Sequence, residues 1–170
     1  YDFGITDEKN IYAIGDVAGP PWLAHKASAQ GNMVADLICG NNVHEIDFFN
    51  IPNCTYCQPQ VASLGLTESK AKDLGHNIKV GKFFFRASGK AMAVGNTFGF
   101  VKLIFDDRYG ELIGAHIIGD GATEMIAELN IAKALESTWE DLAMTMHAHP
   151  TLSEAVMEAA MDAFGSAIHQ

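Results

Sequence analysis

Basic residues are scarce in this sequence: 11 Lys and Arg stand against 21 Asp and Glu, a net charge of −10. No basic run exceeds a residue or two, so the cationic face that a general nucleic-acid or anionic-membrane binder requires is missing. Long apolar runs are missing too. No uninterrupted apolar segment approaches the ~20 residues that span a bilayer, and the opening YDFGITDEKN lacks the basic region and apolar core of a signal peptide. Cysteine is rare, three in 170 residues, too few and too odd in number for a disulfide scaffold. A reducing interior, bacterial cytoplasm or mitochondrial matrix, is the expected setting. Nor is there a Met at the start. The chain opens on Tyr1 and enters an apolar segment almost at once, which suggests a piece of a longer polypeptide.

What is present is globular in composition, 48% apolar and 19% charged, in a length that allows one or two domains. Ile11 to Asp16, IYAIGD, reads as a short buried strand ending in a Gly-Asp turn. A helix is expected next, starting at Pro20 and Pro21 because a first-turn proline lacks only an N–H that had no partner. Leu23, Ala27, Val34 and Ile38 form its apolar stripe, and Gly40 is its C-terminal cap. The linker-like HEIDFFNIPNCTYCQPQ places a boundary near residue 45, giving domains 1–45 and 46–170. Thr67 is placed to cap a short helix closed by Gly75, IKVGKFFFRA reads as a strand, and FGFVKLIFDDRYGELIGAHIIG reads as a hairpin turning at DDRYG. Met125, Ile126, Leu129 and Ala132 carry helical spacing, as do Leu152, Val156, Ala160 and Phe164 in a last helix from about Leu152 to Ile168. Strands followed by segregated helices give an α+β class to residues 46–170, an antiparallel sheet flanked by helices.

The chemistry-bearing residues each have a plain alternative. Cys54-Thr-Tyr-Cys57 sits between Pro52 and Pro59 with no helix behind it, which is the wrong context for a reactive pair. A zinc site would need a second ligand pair, and the sequence has none. The CxxC is therefore expected to be structural or incidental. Asp16 is either a turn or cap residue, or a carboxylate at the end of an α/β strand that binds sugar-like hydroxyls. His147 and His149 lack a third metal ligand nearby, so no metal site is expected. Glu154 can close a capping box with Thr151, or it can hydrogen-bond His149 across one helical turn and leave the other ring nitrogen as a base. Spacing alone does not choose between these two.

Taken together, IYAIGDVAGPPWLAHKASAQG, VASLGLTESKAK, FVKLIFD, GAHIIGDGATEMI and HAHPTLSEAVMEAA resemble the C-terminal part of the dihydrolipoamide dehydrogenases. These are a branch of the pyridine nucleotide–disulfide oxidoreductases. The resemblance runs from Ile11 to Ile168 and implies an interface (dimerisation) domain preceded by a strand-helix remnant of an α/β FAD-binding domain. It implies that Asp16 binds a FAD ribityl hydroxyl, and that Leu23, Ala24 and His25 face the pyrimidine side of the flavin. It implies that His149 exchanges a proton with a dihydrolipoyl thiol and that Glu154 orients it, the pair serving the partner subunit of a homodimer. FAD and NAD are implied for the intact enzyme, with none retained by this piece alone. The implied partners are a lipoyl-bearing acyltransferase or the glycine cleavage H protein. The family's Gly-rich FAD turn, its redox disulfide and its NAD domain are not in this sequence, and Gln60 stands where an acidic residue is common. A related flavoprotein disulfide reductase, or a purely structural dimerisation module, is the alternative.

Overall fold

The computed structural model describes residues 4–169. Tyr1, on which the expectation of a longer polypeptide rests, lies outside the described residues, as does Gln170. The chain divides into two compact units between Phe48 and Phe49.

In the first unit, Ile11 to Asp16 does not form the expected strand. Ile5 and Tyr12 make a single antiparallel bridge, and Gly15–Ala18 winds into one 3₁₀ turn. A strand exists through its ladder, and among the described residues Ile5↔Tyr12 is the one pairing this segment makes. Helix α1 spans Ala24–Cys39. It begins later than the prolines suggested: the Leu23 amide donates to the Pro21 carbonyl, a three-residue turn rather than a helical bond. The chain reaches helical geometry only after Leu23, an extended N-cap at φ −136° and ψ 132°. Gly40 does cap the other end, at φ 72°. The buried face of α1 is Lys26, Gln30 and Val34, whereas Ile38 is 63% exposed; two of the three inward residues are polar.

The second unit holds a five-stranded antiparallel sheet. Its strands are β1 (Asn53–Thr55), β2 (Gln60–Gly65), β3 (Ile78–Phe84), β4 (Phe100–Asp106) and β5 (Leu112–Gly119), in the order β1-β2-β5-β4-β3. The alternation in β4 sorts its side chains by face. Val101, Leu103 and Phe105 join the main core, while Ile104 joins a smaller cluster on the other face with Leu66, Ala71 and Ile113. The register between β4 and β5 shifts between Ile104 and Phe105. At the hairpin end, Asp106 Oδ1 accepts the Arg108 and Tyr109 amides at 2.9 and 3.3 Å, and Gly110 takes a φ of 74°.

Helix α2 (Glu68–Asp73) is capped by the Thr67 hydroxyl as expected, and α3 (Gly89–Val94) is capped by Ser88. Helix α4 (Ala122–Ala134) buries Met125, Ile126, Leu129 and Ala132. Its N-cap, Gly121, has no side chain to offer. The Gln60 carboxamide does that work from β2, accepting from the Thr123 amide and hydroxyl at 3.2 and 3.0 Å. Helix α5 (Trp139–Met144) opens with a full Thr138–Asp141 capping box. Helix α6 is Glu154–Asp162, shorter than the expected 152–168. Gly165, at φ 71°, donates to the Asp162 carbonyl while Ser166 donates to that of Met161, the paired bonds of a Schellman ending. Past the helix, Phe164 stacks on Trp139 at 4.3 Å.

Helix α6 lies directly on β3 at Gly81. A Cβ there would overlap the Ala159 carbonyl oxygen and approach the Ala163 amide at 2.6 Å. Gly81→Ala should therefore lower the unfolding free energy by about 3 kcal/mol or more, the upper range for an overpacked contact with backbone. Denaturant unfolding of the two proteins checks this, and a loss under about 1 kcal/mol would mean that α6 slides freely.

Candidate functional site

The segment from Thr145 to Ser153 joins α5 to α6 and carries both histidines of HAHPTLSE. His147 turns inward, with its side chain 5% exposed. Its Nδ1 is 2.9 Å from the Thr145 carbonyl and its Nε2 is 2.6 Å from Glu128 Oε1 on α4. Two residues on, His149 turns outward, its side chain 77% exposed. One imidazole anchors the loop and the other is presented by it. His147 had no assigned role from sequence; the structure makes it the anchor.

Glu154 meets both expectations set for it. Its Oε1 is 2.9 Å from His149 Nδ1, and its Oε2 accepts the Thr151 amide at 2.9 Å. The capping box is only half formed, however. The Thr151 hydroxyl donates to the Ala148 carbonyl, and α6 begins after Ser153, which makes no side-chain cap bond. The Glu154 carboxyl is held below the usual glutamate range, first by the Thr151 amide and then by His149, against the opposing effect of desolvation. A carboxylate only accepts, so Nδ1 is the donor to Glu154, and in the neutral ring the lone pair is then on Nε2. That is the arrangement of a general base with an orienting partner.

Beside this pair opens a groove of about 270 Å³, with Phe83, Met92, Met157, Glu158 and His169 on its walls. Glu158, one turn after Glu154, is 2% exposed. It accepts the Ile168 and His169 amides at 3.0 and 3.2 Å and faces His169 Nδ1 at 2.6 Å. Sequence reasoning missed Glu158 and Glu128; the only signal for Glu158 was its i+4 spacing from Glu154. The Cys54 thiol is pushed up by burial and then by Glu124, the opposite of an activated thiol. Among the described residues, no group of three or more His, Cys, Asp and Glu converges as a cation site.

In the first unit, Asp16 is exposed on the Gly15–Ala18 turn, and Leu23, Ala24 and His25 form the start of α1. No side chain caps that start, and a helix N-terminus favours an electron-rich edge. An exposed carboxylate beside an uncapped helix start suits a hydroxyl-bearing chain ending in a flavin pyrimidine, so the residues fit the implied FAD. None of this chain's assigned residues would hold NAD.

The family model for the pyridine nucleotide-disulphide oxidoreductase dimerisation domain matches residues 51–160. The chain belongs to that family. Its second unit is therefore a dimerisation domain, and the α+β sheet with flanking helices is that domain's fold. A dihydrolipoyl dehydrogenase of Rhizobium etli is 52% identical over 168 residues, covering 98% of this chain and 35% of the relative. One of Bacillus subtilis is 48% identical over 164 residues, covering 96% and 35%. The crystal structure of LpdA from Mycobacterium tuberculosis superposes with a TM-score of 0.87 at 26% identity, over 93% of this chain and 34% of that one. The HOCl-induced flavoprotein disulfide reductase RclA from Escherichia coli shares the fold at 24% identity and a TM-score of 0.86, over 93% and 37%. The chain thus spans about a third of the length of the relatives it matches.

The dimerisation domain's Glu154 carries a pH signature. Because its folded pKa is lowered from the ordinary 4.5, its contribution to stability is full above that value and is lost as pH falls through the folded pKa. The stability difference between wild type and Glu154→Gln should shrink as pH drops below 4.5. Long-range ¹⁵N–¹H NMR should also find neutral His149 as the Nδ1–H tautomer. An Nε2–H tautomer would contradict the geometry.

Proposed function

We propose that the chain is the C-terminal part of a dihydrolipoyl dehydrogenase, with residues 1–45 the end of a FAD-binding domain and residues 46–170 the interface domain of a homodimer. The observation that carries this is the His149–Glu154 pair, held at 2.9 Å on a loop that leaves the ring exposed. The division at Phe48 supports the domain assignment, and the names of the relatives support the activity.

His149 Nε2 takes the proton of a dihydrolipoyl thiol bound at the partner subunit's active site. Glu154 holds the ring in the Nδ1–H tautomer and stabilises the imidazolium that results. The thiolate then attacks the redox disulfide carried by the rest of the polypeptide. Asp16 would hold a ribityl hydroxyl of FAD, and the α1 start would lie toward the flavin pyrimidine. When bound, FAD supplies the two-electron chemistry that links the disulfide to NAD. The substrate is a lipoyl group borne by an acyltransferase or by the glycine cleavage H protein, in bacterial cytoplasm or mitochondrial matrix.

In the full-length protein, His149→Gln should cut kcat roughly 10²–10⁴-fold, the usual worth of a general base. Glu154→Gln should cost roughly one to two of those decades, mostly in kcat, with a changed pH profile. Steady-state kinetics with dihydrolipoamide across pH is the measurement. A normal rate in both variants would leave a purely structural dimerisation module.

The homodimer has its own support. Ile131, Leu135, Met144 and Met146 are 64, 72, 83 and 96% exposed, and obligate homodimer interfaces are commonly apolar and above ~2,000 Å². The isolated chain should sediment as a dimer, and Met146→Glu should shift it toward monomer. A wild-type monomer at every concentration would count against the assignment.

A further inference from the structure

Lys26 has no part in the chemistry above, and its position needs a reason. It is 2% exposed, and burying an ammonium is costly unless it is fully hydrogen-bonded. A leucine on the inward face of α1 would have filled the space without that cost. Lys26 Nζ donates to the carbonyl oxygens of Gly15, at 3.0 Å, and Gly19, at 2.5 Å. Gln30, one helical turn further on the same face and 7% exposed, accepts the Gly15 amide at 2.8 Å. Two adjacent side chains of α1 therefore grip both ends of one turn. Gly15 and Gly19 have φ of 69° and 103°, and the turn between them carries Asp16. A Cβ on Gly15 would stand 3.2 Å from the Ala27 Cβ, so the turn is also pressed closely onto the helix. The same helix starts at Leu23, Ala24 and His25.

We propose that Lys26 and Gln30 are positioning residues for the flavin: they lock the Asp16 turn to the α1 start, so that the carboxylate and the helix terminus meet FAD as one rigid piece. This rests on the assignment of Asp16 and the α1 start to FAD. Neither side chain touches the cofactor in this scheme. Each acts through the backbone of the turn, with Lys26 removing two carbonyls from other use and Gln30 fixing the orientation of the Gly15 peptide.

The test uses full-length apoprotein titrated with FAD, reading the dissociation constant by flavin fluorescence and the visible spectrum of the complex, with apoprotein melting recorded alongside. Lys26→Met should weaken FAD roughly ten- to a hundredfold, the range for losing hydrogen bonds to a charged group, and should alter the flavin spectrum. Gln30→Ala should weaken it by about tenfold. A lower melting temperature with unchanged FAD affinity in both would mark a merely structural brace and overturn the proposal. If Lys26→Met does not fold, Gln30→Ala decides. Asp16→Ala separates the two levels: weakened FAD there, with none in the Lys26 and Gln30 variants, overturns only the positioning role. Unchanged affinity in Asp16→Ala overturns the flavin assignment and this proposal together.

Discussion

Helix α6 reaches its place because β3 offers no side chain at Gly81. A helix laid on a sheet normally stands off by the thickness of two layers of side chains, but here the backbone at Ala159 occupies the room a Cβ would need. Ala155, Ala159 and Ala160 are all fully buried on α6, so the approach is close along the inward face. Close packing leaves few alternative positions for a helix. The residues at its start inherit that rigidity, and Glu154 is the first of them.

The presented imidazole depends on a short sequence of supports. Helix α4 holds His147 through Glu128, and α6 holds His149 and the Thr151 amide through Glu154. The loop between these anchors is only a few residues long, so both ends of it are tied to helices already packed on the sheet. The base of the proposed function must be free toward its substrate and fixed everywhere else. Alternation of the two histidines, one inward and one outward, achieves this within three residues. Further along α6, Glu158 gathers the end of the chain against the same groove, adding a wall that owes nothing to the sheet.

Much of this was legible where a local pattern carries the physics. Alternation and the DDRYG turn give the β4–β5 hairpin, the apolar spacing gives α4, and Gly40 and Thr67 mark helix ends through their own backbone or hydroxyl. For the His149–Glu154 pair the five-residue spacing left a capping box equally open; the resemblance pointed to the pair, and the two side chains do meet at 2.9 Å. What failed was decided at a distance. Strand β2, QVASLG, mixes small and polar residues and becomes a strand through the partner that β5 supplies. IYAIGD has strand composition, but among the described residues it finds one bridge and no ladder. Glu128 is 19 residues from His147 and Lys26 is 11 from Gly15, and nothing in such spacings announces a bond. Lys26 in particular reads as a surface residue, because charged side chains are rarely buried unless something pairs them.

The double duty of Glu154 bears on how lineages carrying this domain diverge. One oxygen serves the fold by closing the entry to α6, and the other serves the ring of His149. Selection that ceased to require proton transfer would release His149 at once, since an exposed ring contributes little to stability. It would not release Glu154, whose bond to the Thr151 amide remains useful to any folded descendant. A descendant that had given up the chemistry should keep the carboxylate and lose the imidazole. When such sequences are compared, the acid would mark the architecture, and under the proposed function the histidine alone would mark the reaction.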